Sequence, residues 1–108
     1  MEIEFEEDYL REIYENGKAS NKKHRYQPQV IKQYIKAINT IKPLLKIEDL
    51  FLFKSLNYEK LSGDKKGLEA IKVNDQYRIE FVSRIEGEEP NSITICSITE
   101  LSNHYKKK

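Results

Sequence analysis

The chain has 108 residues, about two-thirds of the length usually allotted to one domain, which predicts a single domain over residues 1–108. Nineteen Lys and Arg against eighteen Asp and Glu leave a net charge of +1, and the lone cysteine, Cys96, excludes an internal disulfide and favours a reducing, cytoplasmic setting. The longest apolar run, residues 50–53, is far shorter than the roughly 20 residues that cross a bilayer, and the acidic N-terminus argues against a signal peptide, so no membrane role is expected.

Ile3 and Phe5 alternate with acids as in a short strand, and Tyr9, Leu10, Ile13 and Tyr14 then fall on one helical stripe that Asn16-Gly17 ends. Residues 1–15 carry a net charge of −6 and residues 16–46 a net charge of +8. Charge alone favours a solvated helix face whose lysines pair with the N-terminal acids; the alternative is a basic lobe that meets a polyanion. Residues 20–23 read as an exposed connection. Pro28 suits the first turn of a second helix, whose apolar face is Val30, Ile31, Tyr34, Ile35, Ile38 and Ile41, and Pro43 ends it. Residues 44–53 suit either a short third helix or a buried irregular segment.

From residue 55 onward the period changes to two. Residues 68–73, 76–83 and 92–99 are predicted as three antiparallel strands separated by turns at Asn74-Asp75 and residues 87–91. Helices followed by strands imply an α+β domain, with two N-terminal helices packed on one face of a small antiparallel β-sheet that the first strand is free to join.

In the second strand Tyr77, Ile79 and Phe81 must face the core, which turns Arg78 and Glu80 outward. Pairing Ile71 and Val73 with the same core requires a three-residue connection, residues 74–76, and that register sets Lys72 opposite Arg78. Facing cations repel by a few tenths of a kcal/mol, roughly. A bound anion would relieve the conflict; so would Glu80 or Glu69 folding back. With the Lys65-Lys66 turn at its entrance, the outward face of this hairpin is the candidate phosphate site.

The segment of residues 61–81, with its Gly63-Asp64 turn, Gly67, the Asn74 turn and Tyr77-Arg78-Ile79, resembles the central signature of HigB toxins in the RelE/ParE superfamily. The ending around Ile98, His104 and Tyr105, the basic connection Lys22-Lys23-His24-Arg25-Tyr26 and the Pro28 helix are similar to one HigB-like subgroup. The resemblance implies a RelE-like fold and the toxin of a type II toxin–antitoxin system. It further implies a ribosome-dependent mRNA endoribonuclease (an mRNA interferase) that inhibits translation and is restrained by a HigA-like helix-turn-helix antitoxin. The family's strand arginine maps onto Arg78 and its C-terminal histidine onto His104. Where many HigB proteins place a lysine before the Gly-Asp turn, this chain has Ser62, for which Lys60 or Lys65 could substitute. The acidic partner of His104 is then Glu100, one turn earlier if that segment is helical.

Metal-free RNA cleavage by attack of a 2′-hydroxyl on the adjacent phosphate requires proton transfer and stabilisation of an anionic phosphorane. Arg78 is suited to the phosphorane, with Lys65, Lys66 or Lys72 sharing the task, and its outward position predicts that Arg78→Ala abolishes cutting and leaves the fold intact. His104 is one of only two side chains whose unperturbed pKa lies near neutrality and is the candidate for proton transfer, with Glu100 orienting it or acting as an alternative base. Lys22, Lys23 and Arg25 are candidate RNA contacts, and His24 meets ribosomal RNA or solvent. Tyr77 packs, and Cys96 is a buried, inert thiol. No metal-ligand cluster and no GxxxxGK[ST] loop occur, so neither metal nor cofactor is expected. Two other functions fit the resemblance: a non-enzymatic ParE-like inhibitor of gyrase, or an inactive relative that binds antitoxin.

Overall fold

The structure, a computed structural model, describes residues 1–103. His104 therefore lies outside the described residues, as does Tyr105.

Helix α1 (Asp8–Asn16) buries Leu10 and Ile13, one turn apart on the same face. It stops at Gly17, whose φ of +79° lies in the left-handed region and whose N–H donates to the Ile13 carbonyl at 3.0 Å. A 3-10 turn at Lys22–His24 follows, opened by the Asn21 side chain, which accepts from the Lys23 N–H at 2.8 Å. Helix α2 (Pro28–Ile41) starts with proline where a missing N–H is harmless and buries Val30, Tyr34, Ala37, Ile38 and Ile41. The fully buried Tyr34 donates its hydroxyl to the Leu10 carbonyl at 2.8 Å, which ties α2 to α1.

Five strands, β1 (Glu2–Phe5), β2 (Glu59–Lys60), β3 (Glu69–Lys72), β4 (Tyr77–Glu86) and β5 (Ile93–Asn103), form one sheet in the order β1-β5-β4-β3-β2. The first strand does join the sheet, but parallel to β5, so the sheet is mixed where the sequence predicted an antiparallel one. The connection from β1 back to the sheet contains both helices, long enough for the crossover that parallel pairing needs. The remaining neighbours are antiparallel, and the β3–β4 register is the predicted one, with Ile71 opposite Ile79 and Lys72 opposite Arg78. Asn74 holds that turn by accepting from the N–H groups of Gln76 and Tyr77, both at 2.8 Å.

Ile71, Ile79, Phe81, Cys96, Ile98 and Leu101 on one face of the sheet pack against Leu10, Ile13, Tyr34, Ile38 and Ile41 of the helices. Full burial of each such aliphatic side chain is worth about 1.5–3 kcal/mol. Residues 44–53 form no third α-helix. They and their neighbours form 3-10 turns at Ile47–Leu52 and Lys54–Leu56, in which Leu50 and Leu56 are buried while Phe51 and Leu52 face solvent, so no continuous apolar stripe exists to dock a helix.

β5 runs four residues beyond its predicted end, and Glu100 sits on a strand rather than a helix. A bulge explains the misreading: Ile98 pairs with Phe81 but Glu100 with Glu80, which leaves Thr99 over and places Ile98 and Leu101 three apart on the core side. The pairing of lysines with N-terminal acids is also corrected. Among the described residues no cation of residues 16–46 makes an ion pair, and four of the seven acids of residues 1–15 are engaged elsewhere: Glu4 with Arg84 at 3.2 Å, Glu6 with the Ser97 hydroxyl at 2.6 Å, Asp8 with Arg11 at 3.1 Å and Glu12 with the Ser20 N–H at 3.0 Å. No helix of the described residues is long and apolar enough to cross a membrane.

Candidate functional site

Alternation along β3 and β4 turns Ala70, Lys72, Arg78 and Glu80 away from the helices. Strand register then aligns Glu59, Ala70, Glu80 and Glu100 in one row across β2, β3, β4 and β5, and Lys72, Arg78 and Ser102 in the next. A cavity of about 340 Å³ opens at the β2–β3 side of this face and is lined by Asn57, Glu59, Lys72, Asn74, Asp75 and Arg78.

The opposition of Lys72 and Arg78 is answered within the chain. Glu80 is buried; its Oε2 accepts from Arg78 Nε at 3.0 Å and its Oε1 from Lys65 Nζ at 2.9 Å. Lys72 turns aside to Asp75 at 3.0 Å. Glu69, the other acid available to fold back, belongs to a different environment, where it accepts from the Tyr58 hydroxyl at 2.7 Å and from the Ser83 N–H and hydroxyl at 3.0 and 2.7 Å. Burial acts to raise the Glu80 pKa, but the hydrogen bonds and charges of Lys65 and Arg78 outweigh it and hold the carboxyl below its ordinary value. The same hydrogen bond raises Lys65, against desolvation.

Arg78 is not the exposed arginine that alternation predicted. Its side chain is only 18% accessible, held through Nε by Glu80 and with NH1 4.0 Å from Glu59 Oε2. An arginine so engaged contributes to stability, which corrects the expectation that its removal leaves the fold untouched. Counted over Lys65, Lys72 and Arg78 against Glu59, Asp75, Glu80 and Glu100, this cluster holds three cations and four carboxylates.

The structure gathers some of the predicted residues and disperses others. Lys65 arrives from the 3-10 turn Gly63–Lys65 and is the lysine that reaches the face, 3.8 Å from Glu100 as well as bonded to Glu80. Lys66 does not; with Lys60, Tyr58, Glu69 and Ser83 it lines a separate cavity of about 520 Å³. Glu100 is half-exposed on the face, directly opposite Glu80. Lys22, Lys23 and Arg25 are exposed on the connection between the helices and touch none of the residues of the sheet-face cluster through a hydrogen bond or ion pair among the described residues. Tyr26 fixes that connection to one end of the sheet: its hydroxyl donates to the Leu101 carbonyl at 3.2 Å and its ring meets Tyr77 edge-on at 5.6 Å. This is the end at which β4 begins with Tyr77 and Arg78.

His24 stacks on Tyr9 with ring centroids 3.6 Å apart and planes within 5°, beside a cavity of about 510 Å³ lined by Lys18, Lys22, Arg25 and Tyr26. Tyr77 packs against the core as predicted. Cys96 is buried and its thiol is pushed up to about 12, chiefly by that burial, so it carries no thiolate for catalysis. Sequence reasoning did not assign Glu59 or Glu80 to the site. For Glu80 the signal was an acid two residues beyond Arg78 on the same strand face.

The family model described as "RelE-like toxin of type II toxin-antitoxin system HigB" matches residues 3–91, a span that contains Lys65, Lys72, Arg78 and Glu80 but neither Glu100 nor His104. Among solved structures, a YoeB/ParE toxin from Agrobacterium tumefaciens is similar with a TM-score of 0.57 at 15% identity, covering 97% of this chain and 100% of that one. At that identity the likeness concerns the fold. No curated protein matches.

Proposed function

We propose, because the chain belongs to the RelE-like HigB toxins of type II toxin–antitoxin systems, that it is a ribosome-dependent endoribonuclease that cuts mRNA and so inhibits translation. Membership of a type II system implies a protein antitoxin as partner; a HigA-like helix-turn-helix protein is the form proposed for it. The observation that carries the ribonuclease reading is the placement of Lys72 and Arg78 side by side in the wall of an open cavity, with Lys65 joined to Arg78 through one carboxylate.

In this reading a scissile phosphate lies against the outward edge of Arg78, whose NH2 makes no hydrogen bond among the described residues while Nε is held by Glu80. A guanidinium can give parallel hydrogen bonds to two phosphate oxygens, and these strengthen as charge accumulates on the phosphorane. Lys72 adds charge from the neighbouring strand. Glu59, half-exposed in the same cavity wall, offers a carboxylate able to accept the 2′-hydroxyl proton. His104 supplies the proton to the leaving 5′-oxygen. Lys22, Lys23 and Arg25, exposed and without an ion pair among the described residues, lie on the connection that Tyr26 anchors at the Arg78 end of the sheet and hold the polyanion outside the cleavage point.

One observation favours the ParE-like alternative, a toxin that inhibits gyrase by protein contact: the cations of the face are already met by Glu59, Glu80, Glu100 and Asp75. Incubation of the purified protein with a translated mRNA, with the same mRNA stripped of ribosomes, and with gyrase separates the two. The ribonuclease reading expects cleavage of translated mRNA alone, an unimpaired supercoiling reaction, and loss of cleavage by about 10²-fold or more in Arg78→Ala. Blocked supercoiling with intact mRNA would establish the alternative.

A further inference from the structure

We infer that Glu80 is a positioning residue that fixes Arg78 and Lys65 in the orientation from which they meet a phosphate; this rests on the ribonuclease reading above. Glu80 is a fully buried acid on the face of the sheet that carries no hydrophobic core, and such a group persists only where its partners satisfy it. It sits opposite Ala70 on one side, whose small side chain leaves room for it, and opposite Glu100 on the other. Both of its oxygens are taken, Oε2 by Arg78 Nε at 3.0 Å and Oε1 by Lys65 Nζ at 2.9 Å. A carboxylate so enclosed is ill suited to accept a substrate proton, which separates it from the half-exposed Glu59 and Glu100.

The geometry of the contact matters more than its charge. A guanidinium is planar and rigid, so a hydrogen bond at Nε sets the plane of the whole group and leaves the edge formed by its two terminal nitrogens to meet a phosphate. Without that bond the plane is free to turn about the side-chain torsions, and the donors are no longer arranged in advance for the phosphorane. Lys65 is tethered in the same way across the sequence from its own turn, which gives this chain a second fixed cation despite Ser62.

The test compares wild type with Glu80→Gln, Arg78→Lys and the double variant. Single-turnover cutting of translated mRNA is followed over a series of ribosome concentrations, and hydrogen exchange at Arg78 Nε is followed by nuclear magnetic resonance on the isolated protein. Glu80→Gln is isosteric and keeps one acceptor, so folding is checked by the melting curve alone. The inference expects a cleavage rate constant lowered by about tenfold to a hundredfold with half-saturation by ribosomes changed less than about threefold. It also expects faster exchange at Arg78 Nε, and a smaller loss from Glu80→Gln in the Arg78→Lys background than in wild type, the remainder being the part carried through Lys65. Unchanged cutting, or fully multiplicative losses in the double variant, would overturn the role of Glu80 while leaving the ribonuclease reading in place. A wild type that cuts no translated mRNA would overturn that reading and this inference with it.

Discussion

Replacement of Arg78 by alanine should destabilise the protein, and by an amount the structure sets. The side chain is 18% accessible and gives a charged hydrogen bond to a buried acid. Hydrogen bonds to charged groups contribute about 1.5–3 kcal/mol, and a buried ion stripped of its only partner costs about 3–5 kcal/mol. Here Lys65 remains bonded to Glu80, so the lower range applies and a loss of about 2 kcal/mol is expected. For a domain of this size that is a fall in Tm of about 8 °C near neutral pH. Because partners hold Glu80 below its ordinary value of 4.5, its contribution is complete above that value and is lost as pH falls through the folded value. The difference between wild type and Arg78→Ala should therefore narrow in acid, and Arg78→Ala/Glu80→Gln should regain only part of the lost stability at pH 7, because the charged hydrogen bond from Lys65 to Glu80 goes with it. Thermal melts followed by circular dichroism at a series of pH values measure all three. A Tm for Arg78→Ala within about 1 °C of wild type at neutral pH would refute the account of Glu80 as a carboxylate dependent on that arginine.

Cys96 should resist an aromatic disulfide reagent in the native protein and react stoichiometrically once denaturant is added, since burial pushes its thiol up to about 12; rapid native labelling would contradict this. The exposed cations Lys22, Lys23 and Arg25 make no ion pairs among the described residues, so their joint replacement by alanine should leave Tm unchanged. If each contacts one phosphate of single-stranded RNA, the slope of log affinity against log salt should become shallower by about 2, measured by titration with salt; an unchanged slope would remove them from the interface.

The parts of the fold that were legible in sequence are those set by local pattern. α2 follows from its apolar stripe between Pro28 and Pro43, and the register that opposes Lys72 to Arg78 follows from parity across the Asn74 turn. The end of β5 was obscured because the bulge at Thr99 puts Ile98 and Leu101 at a helix-like spacing. The parallel pairing of β1 could not be read from a strand of four residues, whose partner lies about ninety positions away. At the site, sequence placed Arg78, Lys72 and Glu80 on one face, yet left open whether an anion or a neighbouring acid balances the cations. The answer depended on Glu80 being sunk beside Ala70 and on Lys65 arriving from a separate turn, two long-range facts that no spacing along β4 encodes. The same holds for the stack of His24 on Tyr9, formed across the α1–α2 connection.

The most direct measurement is a map of mRNA 5′ ends after induction of wild type and of Arg78→Lys. The account predicts new ends confined to translated coding regions in the wild type, reduced about tenfold or more by a substitution that keeps the charge but removes the fork of donors. Growth arrest with no new ends, or ends of equal abundance in both, would contradict it.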